Sequence, residues 1–557
     1  MRSRCLSIVL VLLGAVAAVR AETPKPNVIV QAKPLDEWLL DAKQLAKDLG
    51  PLLKDALPSG KDPEKFIDDS LTQFLGPDWR KIIDTTKPFG GYGIAKEDLA
   101  DGIFVAMLPI KDVKEAVKLL ANFGIMPEEK NGLYTFKPPN SPTPVFARAA
   151  NGYVYAGPSA EALAPENLLA PDAVFAAKET SSLVARIRLD AISAEAKKKA
   201  VSELEEAVKN DGSADSEYGK KFAKELFNSL KMVLEDGREW TLGLDFNRKH
   251  GELALVTEIL PKPGTPLAKK YQEAKPTTSR FAGMAHGAAL FMGQRYAIPV
   301  FDDLIKELDK SVDEFHAELA KLGITADQEQ LAKLMRTIIA CANTGVTDAG
   351  IAIYIGADRK ATAIYAIRIK DGEKAEQAVD EFVKSLPEKE RDRIKLNAGK
   401  IESVNLHRID LGKDAPEPVQ KIFGKAEATL AIGHDILAAA IGPDADKQIK
   451  AMLGDKPQPA SLFVIEASLA RLWPVFEQLA TTDDQREMLK KARQSLGTDF
   501  DQVRLLQLTR TPGESMKYRL GIDLIPIARV VGTLIRSAPK EETPKELKPS
   551  KSSPKKR

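Results

Sequence analysis

Five histidines, two cysteines and several paired carboxylates are the residues of this 557-residue chain whose types could carry chemistry. Their spacing argues against most of it. His250, His286, His316, His407 and His434 are scattered, with no His-x-x-x-His pair and no neighbouring Cys-x-x-Cys, so no zinc spacing is present. Oxygen-bearing side chains alternate in Asp211-Gly212-Ser213-Ala214-Asp215-Ser216-Glu217. An EF-hand loop, however, needs Gly in sixth place and a bidentate Glu in twelfth, where this chain has Ser216 and Phe222. A polar break between helices is expected there. Gly90-Gly91-Tyr92-Gly93 lacks the later glycine and following helix of a dinucleotide fingerprint, and no Gly-Lys-Ser/Thr phosphate loop exists. Those glycines read as strand flexibility or a bulge. No Gly-x-Ser-x-Gly elbow occurs, and Ser550-Lys551-Ser552-Ser553 lies in a terminal tail. Asp302-Asp303 and Asp483-Asp484 fall on helix-like stretches and read as solvated surface, not as a glycosidase pair. The sequence therefore predicts no catalytic, cofactor-binding or metal-ligating residue, no cofactor, and no enzyme.

Cys5 and Cys341 are the two thiols. Cys5 falls in a leader, so no internal disulfide is expected, and Cys341, following the helical run Leu331–Ile339, reads as a small buried apolar side chain. Trp38, Trp79, Trp240 and Trp473 are well separated and read as core anchors in preference to a stacking platform.

Residues Met1–Ala21 have the three parts of a secretory signal: Arg2 and Arg4, the apolar run Leu6–Ala18, and Val19-Arg20-Ala21, which offers small side chains at the cleavage positions. Cleavage is expected after Ala21, with Ala15-Val16-Ala17 an acceptable alternative site. The apolar run is short of the roughly 20 residues of a bilayer span, and Leu524–Ile535 is interrupted by Pro526 and Arg529. No transmembrane segment is expected after cleavage, and the mature protein is expected to be exported, periplasmic or extracellular. The net charge of +2 conceals an uneven distribution. Pro539–Arg557 carries seven basic and three acidic residues and the leader adds three arginines, so the body between them is mildly acidic. Such a body has no electrostatic footprint for nucleic acid. The Pro-, Lys- and Ser-rich tail is expected to be disordered.

The elements that would position any site repeat. In the second of four units, Ser182–Asp190 alternates as a strand, Ala194–Val208 and Tyr218–Leu234 are helical, Glu239–Phe246 and Glu252–Leu260 form a hairpin, and a helix starts at Pro266. The third unit is read as strand Phe281–Leu290, helices Pro299–Leu322 and Ala326–Ala340, hairpin Thr347–Gly356 and Ala361–Ile369, and helix Glu373–Leu386. The fourth gives Ser461–Ala467, helices Leu469–Leu479 and Asp483–Leu496, and hairpin Val503–Thr509 with Met516–Leu524. The first gives Val28–Ala32, helix Leu35–Leu53, hairpin Gly91–Ala95 with Gly102–Ile110, and helix Val113–Phe123. Its Ile110-Lys111-Asp112 is echoed by Ile369-Lys370-Asp371, with Asp112 and Asp371 placed as helix N-caps. Mostly β inserts separate the units of each pair: Leu133–Phe136, Val145–Ala149 and Tyr153–Ala156 in one, Ile401–Ile409, Ala428–Ile432 and Leu437–Ile441 in the other.

The export signal, Pro109-Ile110-Lys111-Asp112 before a helix, and Asn151-Gly152-Tyr153-Val154-Tyr155 followed by Ser159-Ala160-Glu161 resemble a group of exported bacterial proteins of unknown function built from repeated strand–helix–hairpin ("P-V-K-D") units. The resemblance implies an extracytoplasmic bacterial protein and carries over no activity and no site residue.

The expected fold is α+β: two similar domains of mainly antiparallel sheet with helices packed on one face, related by internal duplication. The expected divisions are signal peptide 1–21, first half 22–275, second half 276–537 and basic tail 538–557. The expected function is non-catalytic binding or scaffolding in the envelope, with an envelope protein, a polymer or an apolar ligand as partner. The alternatives are a periplasmic carrier holding an apolar ligand between its halves and a hydrolase with an unfamiliar site.

Overall fold

The computed structural model describes residues 26–53, 62–94, 103–122, 126–137, 143–176, 179–209, 217–248, 251–274, 277–296, 316–317, 327–412, 417–424, 427–480, 482–496 and 503–537. The expected leader, the polar break at Asp211–Ser216, Asp302-Asp303, nearly all of the Pro299–Leu322 helix and the basic tail fall outside these residues.

The strands are β1 (Val28–Ala32), β2 (Phe89–Ile94), β3 (Ile103–Pro109), β4 (Glu128–Lys130), β5 (Leu133–Phe136), β6 (Val145–Ala150), β7 (Tyr153–Gly157), β8 (Leu183–Arg188), β9 (Gly237–Asn247) and β10 (Glu252–Pro261). They continue as β11 (Thr277–Ser279), β12 (Leu290–Tyr296), β13 (Thr347–Ile355), β14 (Ala361–Arg368), β15 (Ile394–Ile401) and β16 (Val404–Asp410). The last are β17 (Glu427–Gly433), β18 (Ile436–Ile441), β19 (Gln458–Ala460), β20 (Phe463–Ser468), β21 (Arg504–Thr511) and β22 (Met516–Asp523). The helices that matter below are α1 (Leu35–Leu53), α2 (Pro63–Leu75), α3 (Val113–Asn122), α4 (Ala194–Lys209), α5 (Glu217–Asp236) and α6 (Pro266–Glu273). They continue as α7 (Gln328–Ala342), α8 (Gly372–Ser385), α9 (Ala445–Gly454), α10 (Leu469–Leu479), α11 (Asp483–Leu496) and α12 (Leu524–Ser537).

Every pairing is antiparallel. The large sheet runs β4-β5-β6-β7-β3-β2-β1-β8-β9-β10 and continues β22-β21-β20-β12-β13-β14-β18-β17-β16-β15. No pairing joins β4 to β15 among the described residues, so the sheet is an open ribbon and not a closed barrel. The join between the first ten strands and the rest is the β10–β22 ladder, in which Glu252 through Ile259 face Asp523 through Met516. β11 and β19 form a separate two-stranded ribbon.

Residues directly opposite in a ladder share a face of the sheet, so the register assigns two sides. On the front, both ends of the ribbon are apolar and covered. Tyr92, Val105, Met107 and Tyr155 pack under Leu163, Val174 and Phe175. At the other end Phe291, Ala352, Ile364, Ala366, Ala438 and Ala440 pack under Phe281, Met284 and helix α9 through Ile449 and Met452. On the back, α5 and α6 cover Ile187, Ile259 and Met516, while α7 and α8 cover Ile367, Leu430 and Leu437. Helices therefore pack on both faces, which corrects the expectation of a single helical face. Alternating strands buried on both sides at the ribbon's ends leave apolar residues on each face, and each set needs its own cover.

Two further readings change. Phe281–Leu290 is not a strand: Ala282–Ala285 is a 3-10 turn and the strand is Leu290–Tyr296. The small residues of Phe281-Ala282-Gly283-Met284-Ala285 allow a tight turn that buries both Phe281 and Met284. Ile401–Ile409 is the end of β15 and all but the last residue of β16, parted at Glu402, whose φ of 55° makes the turn. No helix of the described residues is long and apolar enough to cross a membrane.

Candidate functional site

The middle of the ribbon, from β8 to β14, differs from its ends. Its front is charged and its back carries an apolar line. At the front of the β10–β22 join, Arg519 grips Glu252 with both guanidinium arms, at 2.8 and 3.0 Å, and Glu252 is buried. That hydrogen bonding holds the Arg519 guanidinium above its ordinary value. Asp523, also buried, accepts the Arg504 backbone N–H at 2.6 Å. Lys517 and Glu258 form an ion pair at 3.3 Å. Opposite charges directly across strands stabilise a ladder, and this network holds the register of the join.

Along the back of the same strands runs an apolar line. Leu183, Leu244, Leu255, Leu520, Leu508, Ile465, Met292, Ile351 and Tyr365 stand directly opposite one another, each on the next strand. Nine strands at about 4.8 Å spacing make a line of roughly 38 Å. Leu255 is 49% exposed, Leu520 39% and Tyr365 37%, and Leu183 is also exposed. Single exposed leucines are ordinary, but a contiguous apolar line is a mark of contact with something else.

On the front, beside the covered end at β12, β13 and β14, lies a recess of two adjoining chambers. The larger holds about 300 Å3 and is built on Phe291, Gly293, Val464, Glu466, Gln507 and Thr509, under Ala282 and Ala285 of the 3-10 turn and Gln458–Ala460 of β19. The smaller, about 220 Å3, shares Ala285, Phe291 and Glu466 and adds Ala288, Arg471 and Arg504. Gly293 keeps the floor low: a Cβ there would stand 2.8 Å from the Phe291 ring. The cover is tied down by a buried knot in which Asp348 accepts from Arg295 at 2.9 Å, from the Ser279 hydroxyl at 2.6 Å and from the Arg280 backbone N–H at 3.1 Å. The lining contains one carboxylate, Glu466, and no imidazole or thiol.

The sequence singled out none of these recess residues. Glu466 breaks the apolar run Phe463-Val464-Ile465, and an isolated carboxylate in an otherwise apolar strand is the signal that marks it. Of the residues weighed from sequence, Asp112 accepts from the Lys114 and Glu115 backbone N–H groups at 2.9 and 3.1 Å, and Asp371 from Lys374 at 3.0 Å. Both act as helix caps. Cys341 is buried against α8, and burial pushes its thiol up. Asp483 and Asp484 are exposed at the start of α11. Trp79 and Trp473 are buried, and Trp240 is half-buried with its indole donating to Thr257 at 2.6 Å. None of these converges with another on a cavity.

His407 is the histidine that the spacing argument underrated. It is buried, with Nδ1 accepting the Asn397 backbone N–H at 3.2 Å. Desolvation pulls the imidazole below the ordinary value of 6.5, against the opposing pull of Glu376 and Asp380. The unfolded chain therefore takes up a proton before the folded one does. The resulting stability is intact above about pH 6.5 and is lost as pH falls from there towards the lower folded-state value. The thermal midpoint of the native chain should drop more between about pH 7.5 and about pH 5.5 than that of His407→Asn. Parallel pH profiles for the two proteins would assign the loss to another group.

No protein-family model matches the chain, and no curated protein or solved structure matches it.

Proposed function

We propose that this is a non-catalytic exported protein of the bacterial envelope that acts by binding, and that its partner is an extended apolar chain lying along the back of the central strands. The single observation carrying this reading is the unbroken line from Leu183 through Leu255 and Leu520 to Tyr365. Charges of the same strands, Glu252, Glu258, Lys517 and Arg519, stand on the opposite face by register. The leader-like Met1–Ala21 and the resemblance to exported proteins support export, with 538–557 as a solvated basic tail.

Two related halves, 22–275 and 276–537, are part of the same proposal. What supports duplication is the strand order, which runs from the fourth to the tenth strand of each set in the same sequence on either side of the β10–β22 join. The two Ile-Lys-Asp stretches add to it. The Ile110 N–H reaches the Gly152 carbonyl and the Ile369 N–H the Asp435 carbonyl, both at 3.1 Å. The next N–H groups, of Lys111 and Lys370, reach Ile82 and Cys341 at 2.7 and 2.9 Å. On this reading the apolar line crosses the junction of the halves, which favours a carrier of an apolar ligand over a scaffold.

The test is titration of the full chain with a fluorescent long-chain fatty acid. Saturable binding is expected, and Leu255→Glu with Leu520→Glu should weaken it at least tenfold, since burying each half-exposed leucine contributes about 1 kcal/mol and a buried carboxylate costs more. Absence of binding, or equal binding by the double variant with an unchanged fold, would remove the reading.

A further inference from the structure

The front-face recess holds opposite charges that do not neutralise each other. Glu466 forms the wall common to both chambers, and its Oε1 accepts from the Gln507 side-chain amide at 2.8 Å. The carbonyl oxygen of the same amide accepts from Arg504 at 3.2 Å. One amide thus stands between a carboxylate and a guanidinium that face the same small chamber, and the two form no ion pair with each other among the described residues. Arg471 is exposed on the chamber wall, with one guanidinium N–H given to the Ala288 carbonyl at 2.9 Å. The rest of the surface is small and apolar, from Ala285, Ala288 and Phe291.

We propose that this recess binds a small zwitterion of the α-amino-acid class. The ammonium sits at Glu466, the carboxylate at Arg504 and Arg471, and a compact aliphatic side chain lies against Ala285, Ala288 and Phe291. Three observations select this class. Gln507 already spans the gap with hydrogen bonds at each end, and an α-amino acid offers a donor and an acceptor about as far apart as those of one amide. The chamber that Glu466, Arg471 and Arg504 share holds about 220 Å3, below the usual range for small-molecule sites, which suits a single amino acid better than a peptide or an oligosaccharide. Arg504 already shares charge with Glu252 and Asp523. A neutral ligand would leave Glu466 and Arg471, neither of them in an ion pair among the described residues, without an opposite charge, and a ligand with one charge would answer only one of them. Sites built from polar groups reject analogues that lack the matching partner, because the group left behind loses water without gaining a bond. The inference does not rest on the apolar line, which belongs to the opposite face.

The experiment is isothermal titration of the full chain with L-leucine, N-acetyl-L-leucine and L-leucinamide. Leucine should bind saturably, and each analogue, missing one charge, should bind at least about tenfold more weakly. Glu466→Gln keeps the shape and should lose leucine by the same factor while its unfolding midpoint stays near that of the native chain. Because Arg504 also lies near Glu252 and Asp523, at 3.6 and 4.0 Å, the isosteric Glu466 variant and the ligand analogues carry the test. Asp380→Asn, on the exposed face of α8, should bind as the native chain does. No saturable heat with leucine, equal binding of the three ligands, or unaltered binding by Glu466→Gln would each overturn the assignment.

Discussion

Arg295→Met should cost about 3–5 kcal/mol of folding stability, the range for removing one partner of a buried ion pair. Asp348 is fully buried and the Arg295 side chain nearly so, at 1% and 12% exposure. Without the guanidinium, the carboxylate keeps the Ser279 hydroxyl and the Arg280 N–H but has no cation to offset its lost hydration. The substitution conserves most of the packing volume, so the loss reports charge and not a cavity. Adding Asp348→Asn should therefore recover about 1–2 kcal/mol, because the stranded charge goes while its hydrogen-bonding shape remains. Chemical denaturation of the four proteins of this cycle checks it. A single variant within about 1 kcal/mol of the native chain, or a double variant no more stable than the single, would mean that the knot is not what secures Ser279–Phe281. Since that segment places Phe281 and Met284 in the core and Ala282 and Ala285 over the recess, Arg295→Met should also weaken any ligand held there.

Local pattern carried much of the element order. Period-two alternation located β8, β9 and β10 to within a few residues, and α10, α11 and α1 fall where apolar spacing put them. The failures have physical causes. Pro63–Leu75 falls in none of the expected helices, although Asp62 caps it and Pro63 starts it; the run Pro58-Ser59-Gly60-Lys61 before it has the composition of a loop. Phe281 and Met284 looked like strand residues because a large buried side chain has no period of its own. The apolar line could not be read, since it is a property of pairing: Leu255 meets Leu520 only through a register set 265 positions away along the chain. The recess was hidden for the same reason, with Glu466 and Gln507 brought together from 41 residues apart. Capping roles at Asp112 and Asp371 were legible because a cap is a local device, complete within four residues.

Gly90→Ala should destabilise the protein by on the order of 3 kcal/mol, whereas Gly93→Ala, three residues along the same strand, should cost less than about 1 kcal/mol. The contrast isolates one contact. At Gly90 φ is +152°, and a Cβ would stand 2.0 Å from the Val30 carbonyl oxygen and 2.8 Å from its carbon. Both are backbone atoms of β1, so no side chain can turn aside, and β2 must separate from β1. At Gly93 the nearest atoms are Val28 Cβ at 3.5 Å and Phe104 Cδ2 at 3.7 Å, ordinary contacts. β1 is the strand through which β2 to β7 reach the centre of the sheet, pairing with β2 on one side and β8 on the other. Damage at Gly90 should therefore appear first as loss of protection from hydrogen exchange in β2, β3 and β7, with the β10–β22 join retained. Equal losses for the two variants in denaturant would show that β1 and β2 are not held this closely. Loss of protection at the join as well would show that the ribbon unfolds as one unit and not from its ends.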